Sequence, residues 1–154
     1  MSETVIQVTS LGKRIKGKTI LEDISFEINQ GDCVALIGPN GAGKTVLMSC
    51  ILGDKKPSSG QVLIDGKPGK AKNKIAVLLQ ENTIPNSLKV EELIAFFQSI
   101  SDNPLTNQEV QELLQFKEDQ YQQFADKLSG GQRRLLAFVL CLIDKPKILF
   151  LDEP

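Results

Sequence analysis

The chain has 154 residues, 41% of them hydrophobic and 24% charged, with 18 Lys and Arg against 19 Asp and Glu for a net charge of −1. That length and mixture describe one globular domain with a real core, and they exclude disordered and collagen-like chains. The near-zero charge argues against a nucleic-acid grip built on a broad basic field, and the complete lack of His excludes Ser-His-Asp triads, His-ligated zinc and His general bases within this chain.

The first third reads as strands. Val5, Ile6 and Val8 form a short apolar strand, and Gly12 to Lys18 reads as a loop. Ile24, Phe26 and Ile28 alternate in period two, as in a half-buried strand. Asn29 to Asp32 is a turn cluster, and Cys33 to Ile37 is a continuous apolar run suited to a strand buried on both faces. A glycine-rich loop follows, then a helix over Thr45–Leu52 stopped by Gly53. Gln61 to Asp65 and Ile75 to Leu79 are further strands, with a turn at Gly66 to Gly69 between them. Val90, Leu93, Ile94 and Phe97 take helical spacing, which Ser101 to Pro104 breaks. Thr106 and Glu109 make a capping box for the next helix. Gly131 to Ile143 is another helix, and Ile148 to Leu151 a last buried strand. Cys33, Cys50 and Cys141 lie in apolar surroundings and show no metal or redox spacing, so they read as small core residues. No secretory signal is visible, and the longest apolar run, Leu135 to Ile143, is too short to span a bilayer. A chain that stops just past a buried strand reads as incomplete.

Three motifs carry chemistry. Gly38-Pro39-Asn40-Gly41-Ala42-Gly43-Lys44-Thr45 fits G-x-x-x-x-G-K-[ST], for which chance in a chain this long gives roughly half a per cent or less. Its glycines let backbone amides close round phosphates, the helix start points its dipole at them, Lys44 supplies a point charge, and the Thr45 hydroxyl can ligate Mg²⁺. Asp152 and Glu153 end an apolar strand, where a parallel sheet binds ligands; Asp152 suits Mg²⁺ through water and Glu153 suits a general base. Ser129, Gly130, Gly131 and Gln132 open a helix with a capping hydroxyl and exposed amides, a second anion site.

In chain order, with Gln80 between the first and the last two, these motifs resemble the Walker A loop, Q-loop, LSGGQ signature and Walker B strand of the ATP-binding subunits of ABC transporters. The flanks Leu21 to Phe26 and Pro57 to Gly66 agree. The resemblance implies an α/β P-loop NTPase fold of ABC ATPase type: a mostly parallel sheet core, an antiparallel edge subdomain and a helical insert. It divides the chain into a core at 1–84, a helical subdomain at 85–143 and the Walker B strand at 144–154. It implies ATP and Mg²⁺ as cofactors, with Gly38 to Thr45, Val46 and Ser129 to Gln132 on the nucleotide. It gives Thr45, Gln80 and Asp152 to the metal, and Glu153 and Gln80 to catalysis.

The implied partners are a transmembrane permease subunit and a second ATPase domain in a head-to-tail dimer, with no nucleic acid. The implied place is the cytoplasmic face of a membrane. The stretch 127–154, through Gln132-Arg133-Arg134-Leu135-Leu136 and Asp144-Lys145-Pro146-Lys147, is similar to exporters of the ABC-2 type. Departures are Ile15 in place of an aromatic that stacks on adenine, Val46 in place of a hydroxyl residue, Lys89 in place of a capping Thr, and the lack of a D-loop and switch histidine. Two other readings stand beside an ATP-hydrolysing transporter subunit: a non-hydrolysing nucleotide-binding or interaction module, and an ABC-type ATPase acting on DNA or ribosomes.

Overall fold

The computed structural model describes residues 3–68, 75–78 and 84–152, and the chain divides into two compact units, 1–72 and 73–154. The first unit is built on a four-stranded antiparallel sheet of β1 (Thr4–Ile15), β2 (Lys18–Asn29), β3 (Ser59–Ile64) and β4 (Lys67–Pro68), in the order β2-β1-β3-β4. Lys16 and Gly17 both take positive φ, 49° and 80°, which is the backbone of a two-residue hairpin turn whose twist matches its strands. The expected loop at Gly12 to Lys18 is therefore mostly strand, with only these two residues turning. Asp65 and Gly66 repeat the device between β3 and β4, so the expected strand ends at Ile64 and pairing resumes at Lys67.

Ile6 faces Ile28 on one side and Ile64 on the other, and Val8 faces Phe26 and Val62. Val5, Ile6, Val8, Leu11, Leu21 and Ile64 are buried, together with Leu47, Cys50 and Ile51 of helix α1 (Lys44–Ile51). Each such side chain contributes about 1.5–3 kcal/mol by leaving water. The ladder between β1 and β2 slips between Val8 and Leu11, where Ser10 takes φ 46° and donates its amide to Ser25 Oγ at 2.8 Å. Gly60 faces that bulge, and a Cβ there would lie 2.2 Å from the Ser10 carbonyl oxygen, so this crossing requires glycine.

A further expectation fails in this unit. Cys33 to Ile37 is not a strand, and Val34, Leu36 and Ile37 are 60, 47 and 91% exposed. An apolar run becomes a buried strand only when neighbouring strands take its amides and carbonyls, and none of the described ladders includes it. Cys33 is exposed with it, so only Cys50 is a buried core cysteine; Cys141 is half-buried.

The second unit holds a parallel pair, β5 (Ile75–Leu78) and β6 (Ile148–Leu151), in register from Ile75 with Ile148 to Leu78 with Leu151. The expected burial of the last strand is only partial, since Ile148 to Phe150 are half-buried and Leu151 is exposed. Helices α2 (Val90–Ser99), α3 (Asn107–Leu114) and α5 (Gly130–Leu142) follow the expected spacing, and a short helix outside the expected set, α4 (Glu118–Tyr121), lies between the last two. Their inward faces form one core around Leu93, Val110, Leu136, Val139 and Ile143, with Leu78 from β5. Thr106 caps α3 as its sequence predicts: its hydroxyl accepts from the Glu109 amide at 3.2 Å, and its own amide donates to Glu109 Oε2 at 2.7 Å. Lys89 occupies the corresponding place before α2, where only the return bond forms, from its amide to Glu92 Oε2 at 2.8 Å. Among the described residues, no helix is long and apolar enough to cross a membrane.

Candidate functional site

The loop 38–43 connects the exposed run to α1 in the first unit. Pro39 accepts the Ala42 amide at 3.1 Å, closing a turn across Asn40 and Gly41. Gly43 then takes φ 93° as the residue before α1, with Ile20 and Leu21 packed against its backbone, so a side chain there has neither the torsion nor the room. The first α-helical bond runs from the Leu47 amide to the Gly43 carbonyl at 2.8 Å. The amides of Lys44, Thr45 and Val46 precede that bond and have no intrahelical acceptor, which leaves three parallel donors at the positive end of the helix. Lys44 curls back over the loop, and its ammonium donates to the carbonyls of Gly38 at 2.5 Å and Pro39 at 2.9 Å. The cation, the three amides and the glycine turn thus lie together on one exposed loop and helix start, a donor set suited to a polyanion.

Ser129 to Gln132 lie in the second unit, at the start of α5. Ser129 Oγ accepts the Gln132 amide at 3.3 Å, and Gln132 Oε1 accepts the Ser129 amide at 3.0 Å. This reciprocal box turns two of the expected anion-binding residues into a rigid cap. It leaves the amides of Gly130 and Gly131 as donors on a bare surface, where a Cβ at either position would meet nothing within 4 Å. Asp152 follows β6 in the same unit, its amide donating to the Leu78 carbonyl at 2.9 Å, so the carboxylate stands at the C-terminal end of the parallel pair. Gln80 and Glu153, expected as metal-sensing and catalytic residues, lie outside the described residues.

Of the residues expected to serve a metal, Thr45 opens α1 in the first unit and Asp152 follows β6 in the second, and each offers an oxygen ligand. Hard oxygen ligands few in number suit Mg²⁺, which keeps several waters and takes phosphate oxygens. Among the described residues, no three His, Cys, Asp or Glu side chains cluster to make a protein-only metal cage. The motifs gave no sign of one further feature. The Arg133 guanidinium donates to the Ile84 carbonyl at 3.0 Å and to Asn86 Oδ1. Its acceptors lie 49 and 47 residues away, beyond the range of any local pattern.

Comparison with known proteins agrees with this geometry. The family described as ABC transporter matches residues 21–154. The methionine import ATP-binding protein MetN of Legionella pneumophila (strain Paris) is 36% identical over 162 residues, which cover 97% of this chain and 48% of that protein. The spermidine/putrescine import ATP-binding protein PotA of Protochlamydia amoebophila is 35% identical over 153 residues, covering 94% of this chain and 41% of that protein. The chain spans about half the length of the curated relatives it matches. Among solved structures, cbiO1 from Clostridium perfringens, part of the ABC transporter complex cbiONQ, superposes with a TM-score of 0.82 at 26% identity, over 99% of this chain and 66% of that one. The P-loop fold of ABC ATPases is therefore shared along nearly the whole chain, and by its sequence match over residues 21–154 the chain belongs to the ABC transporter family.

Proposed function

We propose that this chain binds MgATP through residues 38–46 and that the protein carrying it hydrolyses ATP to drive a membrane-spanning partner. The observation that supports this reading best is the phosphate cradle: Gly43 at φ 93°, three amides with no intrahelical acceptor, and the Lys44 ammonium. Phosphate oxygens would replace the Gly38 and Pro39 carbonyls as acceptors for Lys44, exchanging neutral partners for charged ones. On the strength of their motifs, Thr45, Gln80 and Asp152 are assigned to Mg²⁺, whose chemistry would be to neutralise and orient phosphate oxygens. The Gly130 and Gly131 amides and the Ser129 hydroxyl form the second anion surface; in a head-to-tail dimer it would close over the nucleotide of a second ATPase domain. Gln80 and Glu153 keep the roles of metal sensor and general base on the strength of their motifs.

Transport direction follows the relatives. MetN and PotA are both named import proteins, so import is proposed in place of the exporter expectation drawn from 127–154. The place proposed is the cytoplasmic face of the membrane. Lys44→Ala is the test. It should lower ATP affinity about tenfold or more and abolish hydrolysis, as expected when a charge-assisted phosphate contact is removed. Unchanged ATP affinity in a folded Lys44→Ala protein would end the proposal. Wild-type ATP binding without Glu153-dependent hydrolysis would instead favour the non-hydrolysing module.

A further inference from the structure

The first turn of α5 has an orientation problem. Gly130 and Gly131 have no side chains and open space around them, and Gln132 folds back into the cap at Ser129. None of these three can fix where the amides point relative to the rest of the unit. Arg133 is the next residue, and its guanidinium leaves the helix to hold the Ile84 carbonyl and Asn86 Oδ1. Both bonds leave one nitrogen, Nη2, whose two N–H directions are fixed in the guanidinium plane, so together they restrain direction as well as distance.

The segment it holds is itself fastened on the other side of the signature. The Val90 amide donates to the Gln123 carbonyl and the Ala125 amide to the Leu88 carbonyl, each at 3.0 Å, and Lys89 bridges Phe124 in antiparallel fashion. Residues 84–90 are therefore tied to the chain both before Ser129, at 123–125, and after Gln132, at Arg133. The anion-binding turn is the span between the two ties.

We propose that Arg133 is a positioning residue that locks the Ser129–Gln132 turn to the 84–90 segment, so that the two shift as one body and the Gly130 and Gly131 amides keep their aim. The inference rests on the proposed function for its catalytic consequence, but not for the mechanical link itself. It assigns Arg133 no contact with nucleotide.

The experiment uses the full-length protein with Arg133→Ala, Arg133→Lys, Asn86→Ala and the double variant, read by two measurements. In ligand-free protein, amide hydrogen exchange in Arg133→Ala should speed up about tenfold in both 84–90 and 129–133, with Arg133→Lys in between because its ammonium keeps the charge and can still donate but lacks the fixed plane of the guanidinium. In ATP hydrolysis, kcat should fall about tenfold with KM within about twofold, since ground-state nucleotide binding belongs to residues 38–46. Asn86→Ala should move both readouts less, and the double variant should be no worse than Arg133→Ala alone. Faster exchange in only one of the two stretches, additive single effects, or an unchanged kcat would overturn the proposal. Should Arg133→Ala fail to fold, Arg133→Lys and Asn86→Ala carry the same comparison. A wild-type protein that does not hydrolyse ATP refutes the proposed function and leaves the exchange result to decide the link.

Discussion

Alanine substitution at two glycines of the same loop separates backbone strain from steric contact. Gly41 and Gly43 have nearly the same torsion, φ 84° and 93°. An L-residue held there costs about 1–2 kcal/mol. At Gly41 a Cβ would meet nothing within 4 Å, so Gly41→Ala should cost only that backbone contribution, about 1 kcal/mol. At Gly43 a Cβ would lie 2.9 Å from Leu21 Cδ2 and 3.3 Å from both Ile20 Cγ2 and the Ile20 carbonyl oxygen. Leu21 is 5% exposed and has little space to yield, and the Ile20 carbonyl belongs to the backbone of β2. Overpacking of this kind adds about 1–3 kcal/mol, so Gly43→Ala should cost about 3 kcal/mol in all. Thermal melting of the ligand-free protein should show a fall of about 6–12 °C for Gly43→Ala and about 2–4 °C for Gly41→Ala. Equal shifts for the two variants would mean that packing of Gly43 against β2 does not hold the loop, and the account of how α1 is aimed would be wrong.

Two more predictions follow from local chemistry. The Glu109 carboxyl is held below the usual glutamate range, first by the Thr106 amide and then by the Thr106 hydroxyl. A carboxylate depressed in the folded state contributes stability above its unfolded pKa and loses it as pH falls through the folded value. Acid titration should therefore loosen the start of α3, and Glu109→Gln, which keeps an acceptor but does not titrate, should flatten that acid limb in a hydrogen-exchange profile; identical profiles would remove the capping argument. The cysteines should alkylate in the order Cys33, Cys141, Cys50, read by mass spectrometry. Cys33 is exposed, whereas burial pushes the Cys141 and Cys50 thiols up and Cys50 is fully covered; Lys13 and Lys55 only partly oppose the rise at Cys50. Labelling of Cys50 before Cys33 would contradict the exposed position of the 33–37 segment.

The features legible in the sequence are those whose causes lie within a few residues. The phosphate loop is readable because the glycine turn, the helix start and Lys44 are contiguous. The box at Thr106 and the capping hydroxyl at Ser129 are readable because a cap and the amide it accepts lie three residues apart, whereas the return bond from Gln132 to Ser129 is seen only in the structure. Helices α2, α3 and α5 declared themselves through periodicity, which is again a local property.

Tertiary structure decided the rest. Whether Cys33 to Ile37 becomes a strand depends on partners distant in the chain, and no apolar run can supply its own ladder. The strand character of Gly12 to Ile15 comes from β2 and β3 alongside it, which outweigh a Lys- and Gly-rich composition that locally favours a loop. The bulge at Ser10 exists because Gly60 allows close approach, and the Arg133 link joins residues 47 and 49 positions apart. Sequence by itself determined the family and the local form of the glycine loop, because short contiguous motifs carry both. Pairing, exposure and the aim of the signature turn were decided only in the folded chain, because each depends on contacts that loop closure must first bring together.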